Sequence, residues 1–442
     1  MKFNSVYPIV LVAVYTVDAS TMGPHGLNAW GVRKGISLNV PIDDPLAGGG
    51  GDDDSVVDES SLPLVDSING NSLLSIESSS DADNDYGGDT ELLSCGPDSD
   101  LRMASDYNCN SQVQLLGATN LTPFIRRAAM QVSAILPKGE TFKVYEYGCA
   151  TGGSSILPLM AIQDSIGDRR LEVNMVDLPM NDWDALKSTV EPKLQTINFS
   201  YTPKSMYLPI CDNEEVHLAY SCYAQQWLSD GAPTGLPDGA IWANQLSQHS
   251  EQRKAWDAAS KRDWDNLLYL RSKEVVPGGI MVFLIYSSMS SCGGLSEGFA
   301  ATMQEAKKEM IKTGELSKTQ AQTMVVPEYA KTPMEILAQV SSSKNQFLWS
   351  VEELQHNIHP CGFVEEWRTH KDPATAPLVA DEIIKKQIAF LRAFTDASFL
   401  KSLDQETLEL YWVRVQRLVD GNPEKLSSDM MNTFITLKRS KS

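Results

Sequence analysis

The sequence contains no CxxC pair. Its seven cysteines, at positions 95, 109, 149, 211, 222, 292 and 361, form no Cys/His cluster with its six histidines. An odd number of scattered thiols excludes a disulfide framework and a structural zinc site, and leaves free, mostly buried cysteines. No run of eighteen apolar residues occurs beyond the N-terminal segment, so a polytopic membrane protein is excluded and stable insertion in a bilayer is not expected. A basic face is missing too: 37 Lys and Arg stand against 57 Asp and Glu, for a formal net charge of −20. Nucleic-acid binding through phosphate neutralisation is therefore not expected. Lys and Arg are absent altogether from Pro41 to Asp100, where sixteen Asp or Glu fall, so the chain from Leu101 onward carries only −6. The extreme charge belongs to one stretch, while 42% hydrophobic residues over 442 positions supply a sizeable core elsewhere.

Met1–Ser20 has one cation, Lys2, an apolar run from Val6 to Val17, and the small residue Ala19. That is the shape of a secretory or targeting signal. Arg33 and Lys34 follow in an acid-free patch, so entry into an organelle is a second expectation, with cytoplasmic residence as the alternative. Residues 21–100 read as a disordered acidic linker, with GGGGDDD at Gly48–Asp54 and SSSDADNDYGGD at Ser78–Asp89. Like charges repel there and little apolar area is available to repay ordering entropy. Asp81, Asp83 and Asp85 do not make a calcium loop, because flanking helices and a closing Glu are lacking.

From residue 101 to residue 442 the pattern alternates between strand and helix. Leu121–Leu136 has helical spacing, opened by Thr122-Pro123, and Phe142–Tyr147 is a strand that ends in Gly148-Cys149-Ala150-Thr151-Gly152-Gly153. Ser154–Ile166 is helical, Leu171–Val176 is a second strand ending at Asp177, and Glu215–Tyr220 is a third. Cys222–Leu228 reads as a turn into a short helix, and Trp256–Glu274 as an amphipathic helix. Ile280–Tyr286 is fully apolar, as a central strand is. Strand, glycine loop, helix and strand make a βαβ unit, so the expected fold is α/β: a doubly wound, Rossmann-like sheet. Ser317–Gln346 and Ala380–Val419 are expected to supply an α-helical cap, mainly within 295–400.

The loop spacing, Gly148-x-x-x-Gly152-Gly153, is not GxGxxG, which disfavours a dinucleotide. Asp177 at the end of the second strand suits the two hydroxyls of an adenosine ribose, and Glu146, two residues before the loop, is expected to place a second carboxylate on the same rim. Two acids with no phosphate-seeking Lys suit a cationic adenosyl ligand such as S-adenosylmethionine. A plain strand–helix turn is the other reading of the loop taken by itself.

Several blocks then appear in order: Asp106-Tyr107-Asn108-Cys109-Asn110-Ser111 with Gln114, EYGCATG at 146–152, VDLPMNDW at 176–183, SCYAQQWLS at 221–229, EVVPGGIM at 274–281, VPEY at 326–329, and Arg392-Ala393-Phe394 with a C-terminal helix. From about Ala104 to Lys438 the chain thus resembles the SABATH family of S-adenosylmethionine-dependent methyltransferases. That family includes salicylate, jasmonate and indole-acetate carboxyl methyltransferases and caffeine-pathway N-methyltransferases. The resemblance implies cofactor contacts from Tyr107, Cys149, Ser154, Asp177, Leu178, Ser205 and Met206. It also implies that Gln114 and Trp227 grip the acceptor's carboxylate through N–H donors, with Tyr223 and Gln226 lining the pocket. A homodimer is usual in the family.

This chain departs from the pattern in places. Glu146 stands where Asp is usual, Ser154 where Asn is usual, and Gln226 where His or Met is frequent, which points to a more polar acceptor. Some members bind magnesium; Asn244 matches one ligand, but the others fall near Gln322, Met324 and Val325, so no metal is expected. His249, His356 and His359 lack metal-like partners and read as surface or core histidines.

A carboxylate is already ionised at neutral pH and needs no general base. The first expectation is therefore O-methylation of a small acid. Methylation at sulfur or nitrogen of a carboxylate-bearing thioether or heterocycle is the second, and a non-catalytic cofactor-binding protein the third.

Overall fold

Strands with few polar interruptions belong at the centre of a sheet covered on both faces, and the computed structural model places them there. It describes residues 112–441 apart from 238, 289–297, 343, 371–375 and 428. The segment 1–20, the acidic stretch 21–100 and Tyr107 with its surrounding motif lie outside the described residues.

Seven strands form one sheet: β1 (Phe142–Tyr147), β2 (Leu171–Asp177), β3 (Asn198–Pro203), β4 (Val216–Cys222), β5 (Val275–Tyr286), β6 (Trp349–His359) and β7 (Met430–Arg439). Their order is β3-β2-β1-β4-β5-β7-β6. The first five neighbours run parallel, and β7 is antiparallel to both β5 and β6. The expected doubly wound α/β sheet is present, with this one reversed strand added. Val216 pairs with Val275 and Leu218 with Ile280, so Pro277-Gly278-Gly279 bulges out of register between them.

Helices cover the sheet in chain order: α1 (Gln112–Ile135), α2 (Ile156–Ser165), α3 (Trp183–Val190), α4 (Glu251–Glu274), α5 (Phe299–Thr313), α6 (Lys318–Thr323), α7 (Pro333–Val340), α8 (Gly362–Thr369), α9 (Ala376–Phe399) and α10 (Gln405–Val419). Helix α1 begins ten residues before the expected Thr122-Pro123 start, and Pro123 lies inside it. An interior proline costs about 3 kcal/mol. The helix runs through it because Ala118, Leu121, Phe124 and Ile125 bury a continuous stripe in the core beneath β1, β4 and β5. Helices α3, α4 and α7 start on caps: Asp182, Ser250 and Thr332 each accept a backbone N–H three residues on.

The cap departs from expectation in one respect. Helices α5, α6 and α8–α10 form a separate apolar cluster around Trp242, Met303, Phe390 and Tyr411, but β6 interrupts them and joins the sheet. Residues 222–228 likewise form no helix; after β4 the chain makes a tight turn, with Tyr223 in the left-handed region at φ 54°.

One buried charge ties the sheet's covering to the loop beyond β3. Arg271, in the last turn of α4, is fully buried and donates to the carbonyls of Met206 (3.0 Å) and Leu208 (2.8 Å). It pairs with Glu274 at 2.8 Å and lies 4.7 Å over the Tyr147 ring. Glu274 in turn accepts from Ile210 N–H at 2.8 Å. Removing the guanidinium leaves a buried carboxylate without its charge partner, the costly way to break such a pair. Arg271→Met is therefore expected to lose about 3–5 kcal/mol of stability, read as a lowered urea midpoint.

Candidate active site

Because β1–β4 are parallel and in register, their carboxyl ends gather on one edge of the sheet. Asp177 lies opposite Pro203 and Tyr147 opposite Val176, which puts the glycine loop, the acidic turn and the segment after β3 side by side. The strand order reverses between β1 and β4, and ligands of open α/β sheets bind at such a point.

The loop after β1 is held by Asp177. Its Oδ2 accepts from Ala150 N–H at 2.7 Å, and its Oδ1 from Leu178 N–H at 2.7 Å. Asn181 Nδ2 donates to Ala150 C=O at 2.8 Å, so the VDLPMND turn grips both sides of one residue. Ala150 needs that grip, since its φ of 46° is unfavourable for any residue with a Cβ. Burial pushes the Asp177 carboxyl up, and the two backbone N–H groups pull it back. Two loop glycines are positional. A Cβ on Gly148, at φ 78°, would stand 2.4 Å from Ala224 Cβ. On Gly152, at φ 82°, it would meet Leu186 and Val190 of α3 at 2.7 Å. Ser154 sits partly exposed in the short 3-10 turn Gly153–Ser155 that opens α2.

Glu146 is not on the rim where it was expected. It is 2% exposed, and its two oxygens accept from Ser155 Oγ at 2.8 Å and Tyr220 Oη at 2.7 Å. Burial raises its carboxyl to about 7 against those two bonds. Glu146 acts beneath the loop as a brace between β1, β4 and the 3-10 turn, where the longer Glu reaches Ser155. Cys149 is buried beside Asp177, and burial pushes its thiol up.

Beyond β3, Ser205 Oγ accepts from Tyr207 N–H at 3.3 Å, and Met206 Sδ accepts from Gln225 Nε2 at 3.9 Å. Leu178 projects with 46% of its surface exposed. Asp177, Leu178, Ser205 and Met206 thus flank one rim of the crevice, and Cys149 lies just beneath it. A wider groove of about 870 Å³ opens from Ser205 toward Lys261 and Lys344. Within it Ser229 donates to Asp263 at 2.8 Å and Arg262 to Asp230 at 2.9 Å, and it holds none of the other expected contacts.

The opposite rim belongs to α1 and the turn after β4. A Cβ on Gly117 would stand 2.2 Å from the Tyr223 ring, so α1 lies directly against that ring. Gln114, one turn earlier on the same face, is brought to the same place. Tyr223 Oη donates to Asn432 Oδ1 of β7 at 2.9 Å, and Gln226 Nε2 donates to Tyr223 C=O at 2.8 Å. Trp227 is half-buried and bridges Glu328 of the VPEY block, while Tyr329 N–H donates to Gln226 C=O at 2.8 Å. The carboxamide oxygens of Gln114, Gln225 and Gln226 are shut from solvent with no hydrogen-bond partner among the described residues. Each such unpaired acceptor costs about 1–3 kcal/mol. The groups of both rims fit an adenosyl cofactor on one side and a polar acceptor on the other.

Sequence reasoning missed Glu328, 6% exposed opposite Trp227, whose carboxyl burial raises to about 7 while the Trp242 indole opposes that shift. Its block was legible, its role was not. Tyr220, Ser155, Asn181 and Asn432 were missed as well; only Asn181 lay in a quoted motif.

Magnesium, which the sequence already disfavoured, does not fit the residues at the positions where some family members bind it. Asn244 is buried with its amide engaged at both ends by Ala330, donating to its C=O at 3.0 Å and accepting its N–H at 3.1 Å. Met324 C=O accepts from Lys307 Nζ at 2.7 Å. Among the described residues no three His, Cys, Asp or Glu side chains gather into a group that could hold a metal ion.

Comparison with known proteins shows the family. Residues 102–440 match the sequence pattern of the family described as SAM dependent carboxyl methyltransferase. Methyltransferase FUS9 of Gibberella moniliformis is 24% identical over 333 residues, covering 71% of this chain and 89% of that protein. A benzoic acid/salicylic acid carboxyl methyltransferase of Petunia hybrida is 21% identical over 365 residues, covering 76% and 95%. Gibberellic acid methyltransferase 2 of Arabidopsis thaliana is 23% identical over 340 residues, covering 70% and 86%. Loganic acid methyltransferase with SAH superimposes with a TM-score of 0.63 at 17% identity, over 79% of this chain and 98% of that one, a likeness of fold.

Gly148→Ala should raise the dissociation constant for S-adenosylmethionine at least tenfold in titration calorimetry, because the loop must move away from Ala224. Gly139→Ala carries the same strain at φ 80° with nothing within 4 Å, and should leave that constant unchanged.

Proposed function

Since the chain belongs to the SAM-dependent carboxyl methyltransferase family, we propose that this S-adenosylmethionine-dependent enzyme methylates a carboxylate oxygen of a small acid, giving a methyl ester. The observation that carries the reading is the neutral character of the acceptor rim: Gln114, Tyr223, Gln226 and Trp227, without a Lys or Arg head group among them. The cation next to them, Lys331, spends its Nζ on Gln225 C=O at 2.8 Å and is buried.

S-adenosylmethionine, when bound, supplies an electrophilic methyl group on a sulfonium. The work left to the protein is binding, orientation and exclusion of water. Asp177, fixed by the Ala150 and Leu178 N–H groups, keeps oxygen lone pairs for ribose hydroxyls. The Ser205-Met206 turn, pinned from behind by Arg271, lies against the adenine in this reading. Gln114 and Trp227 orient the acceptor carboxylate through neutral N–H donors. A full cation there would hold the anion more tightly but lower the nucleophilicity of its oxygen. An acceptor carboxylate arrives ionised, so no side chain is assigned to take a proton.

The test is incubation of the full chain with methyl-labelled S-adenosylmethionine and a panel of carboxylic acids, thioether acids and purines. Label on an acid that base releases as methanol supports the ester. Base-stable label on sulfur or nitrogen replaces the reading, and cofactor affinity without turnover on any acceptor favours a binding protein. With the acceptor in hand, Trp227→Phe is expected to raise its KM about tenfold or more, the worth of one hydrogen bond to a charged group, and to leave the KM for S-adenosylmethionine within twofold.

A further inference from the structure

Lys307 of α5 is fully buried in the cap and makes no ion pair among the described residues. Its Nζ donates to two main-chain carbonyls, Ala240 and Met324, each at 2.7 Å. Burial with no carboxylate beside it lowers its basicity, to about 7. An uncompensated lysine in an apolar cluster is costly, and the sequence keeps it where two loops converge.

Those loops run side by side. Leu236 N–H donates to Gln322 C=O at 3.0 Å, and Val326 N–H to Ile241 C=O at 3.0 Å. Further along, Asn244 and Ala330 exchange both amide bonds, Glu328 bridges Trp227, and Tyr329 N–H reaches Gln226 C=O. The Lys307 contact therefore lies between the first two of these bonds, on the 322–330 segment that goes on to meet Gln226 and Trp227. Converging carbonyl oxygens are the donor chemistry a hard divalent cation takes, and this is the region to which the resemblance assigned magnesium. Here an amine fills the point between them.

We propose that Lys307 substitutes for a divalent cation: its amine, not a metal, fastens the 322–330 segment and thereby positions Glu328 and Trp227 at the acceptor rim. Lys307 is a positioning residue in this scheme. The inference rests on the proposed acceptor site only for its kinetic arm.

The unaltered full chain, stripped with EDTA and desalted, should keep its melting temperature and its acceptor KM, and should take up no magnesium at millimolar concentration in titration calorimetry. Lys307→Met strands two buried carbonyls and should lower the melting temperature by about 5 °C, raise the acceptor KM about tenfold, and leave the KM for S-adenosylmethionine unchanged. Lys307→Gln, which keeps an N–H donor, should recover part of both losses. Magnesium binding by the native chain, or a loss on chelation that magnesium restores, overturns the proposal. So does a Lys307→Met protein that is less stable with both KM values unaltered. Should that variant fail to fold, chelation and calorimetry on the native chain still decide. If turnover fails on every acceptor while those two arms hold, the acceptor reading fails and the metal substitution stands.

Discussion

The bonds from Asp177 to Ala150 and Leu178 are what the cofactor side depends on. They hold a non-glycine residue at positive φ in the middle of the loop, and that conformation turns the chain between the two positional glycines. Gly148 lets the loop touch Ala224 and Gly152 lets it touch α3, so one carboxylate sets the distance from β1 to both the acceptor turn and the helix beside it. Glu146 supports the same loop from below. Two acids thus divide the labour: Glu146 is sealed into the core as a brace, and Asp177 keeps a face toward the crevice.

The acceptor side follows a different rule. Among the described residues its buried cations are spent on the protein's own carbonyls or rings. Lys331 serves Gln225, Lys307 serves Ala240 and Met324, and Arg253 serves Ala243 while lying 4.7 Å over Tyr329. The rim that remains is made of amides, an indole and a phenol. Such a surface orients an anion without neutralising it, which suits a reaction in which that anion is the nucleophile. Glu328, buried opposite Trp227, is the carboxyl nearest that neutral set.

Much of this was readable from the residues. The strands β1, β2, β4 and β5 stand within a few residues of their apolar runs, since buried parallel strands are nearly uniform in hydrophobicity. The blocks around Gly148, Asp177 and Trp227 proved adjacent because parallel strands bring their carboxyl ends together. The edge strand β6 was not legible: WSVEELQHNIH exposes about half its residues, so its polarity reads as a loop or helix surface. The start of α1 was misplaced because Pro123 has the signature of a first turn, and only packing against Tyr223 and the sheet overrides it. Glu146 was assigned to the rim because a carboxylate beside a glycine loop reads as a ligand contact. Its partners Ser155 and Tyr220 are nine and seventy-four residues away, and only the fold shows that they face it. Tyr107 lies outside the described residues, and the structure leaves its role as the resemblance gave it.

Strand β7 lies between β5 and β6, yet 430–439 is the latest of all seven strands in the chain. During synthesis, β5 emerges with its outer edge unpaired and β6 has no neighbour at all until β7 arrives. A long, apolar, open strand edge is what chains use to pair with the wrong partner. The same late strand carries Asn432, which receives the Tyr223 hydroxyl. Closure of the sheet and completion of the acceptor rim are therefore a single event in time. A nascent chain therefore cannot fix Tyr223 from this side until Met430–Arg439 has emerged and paired between β5 and β6.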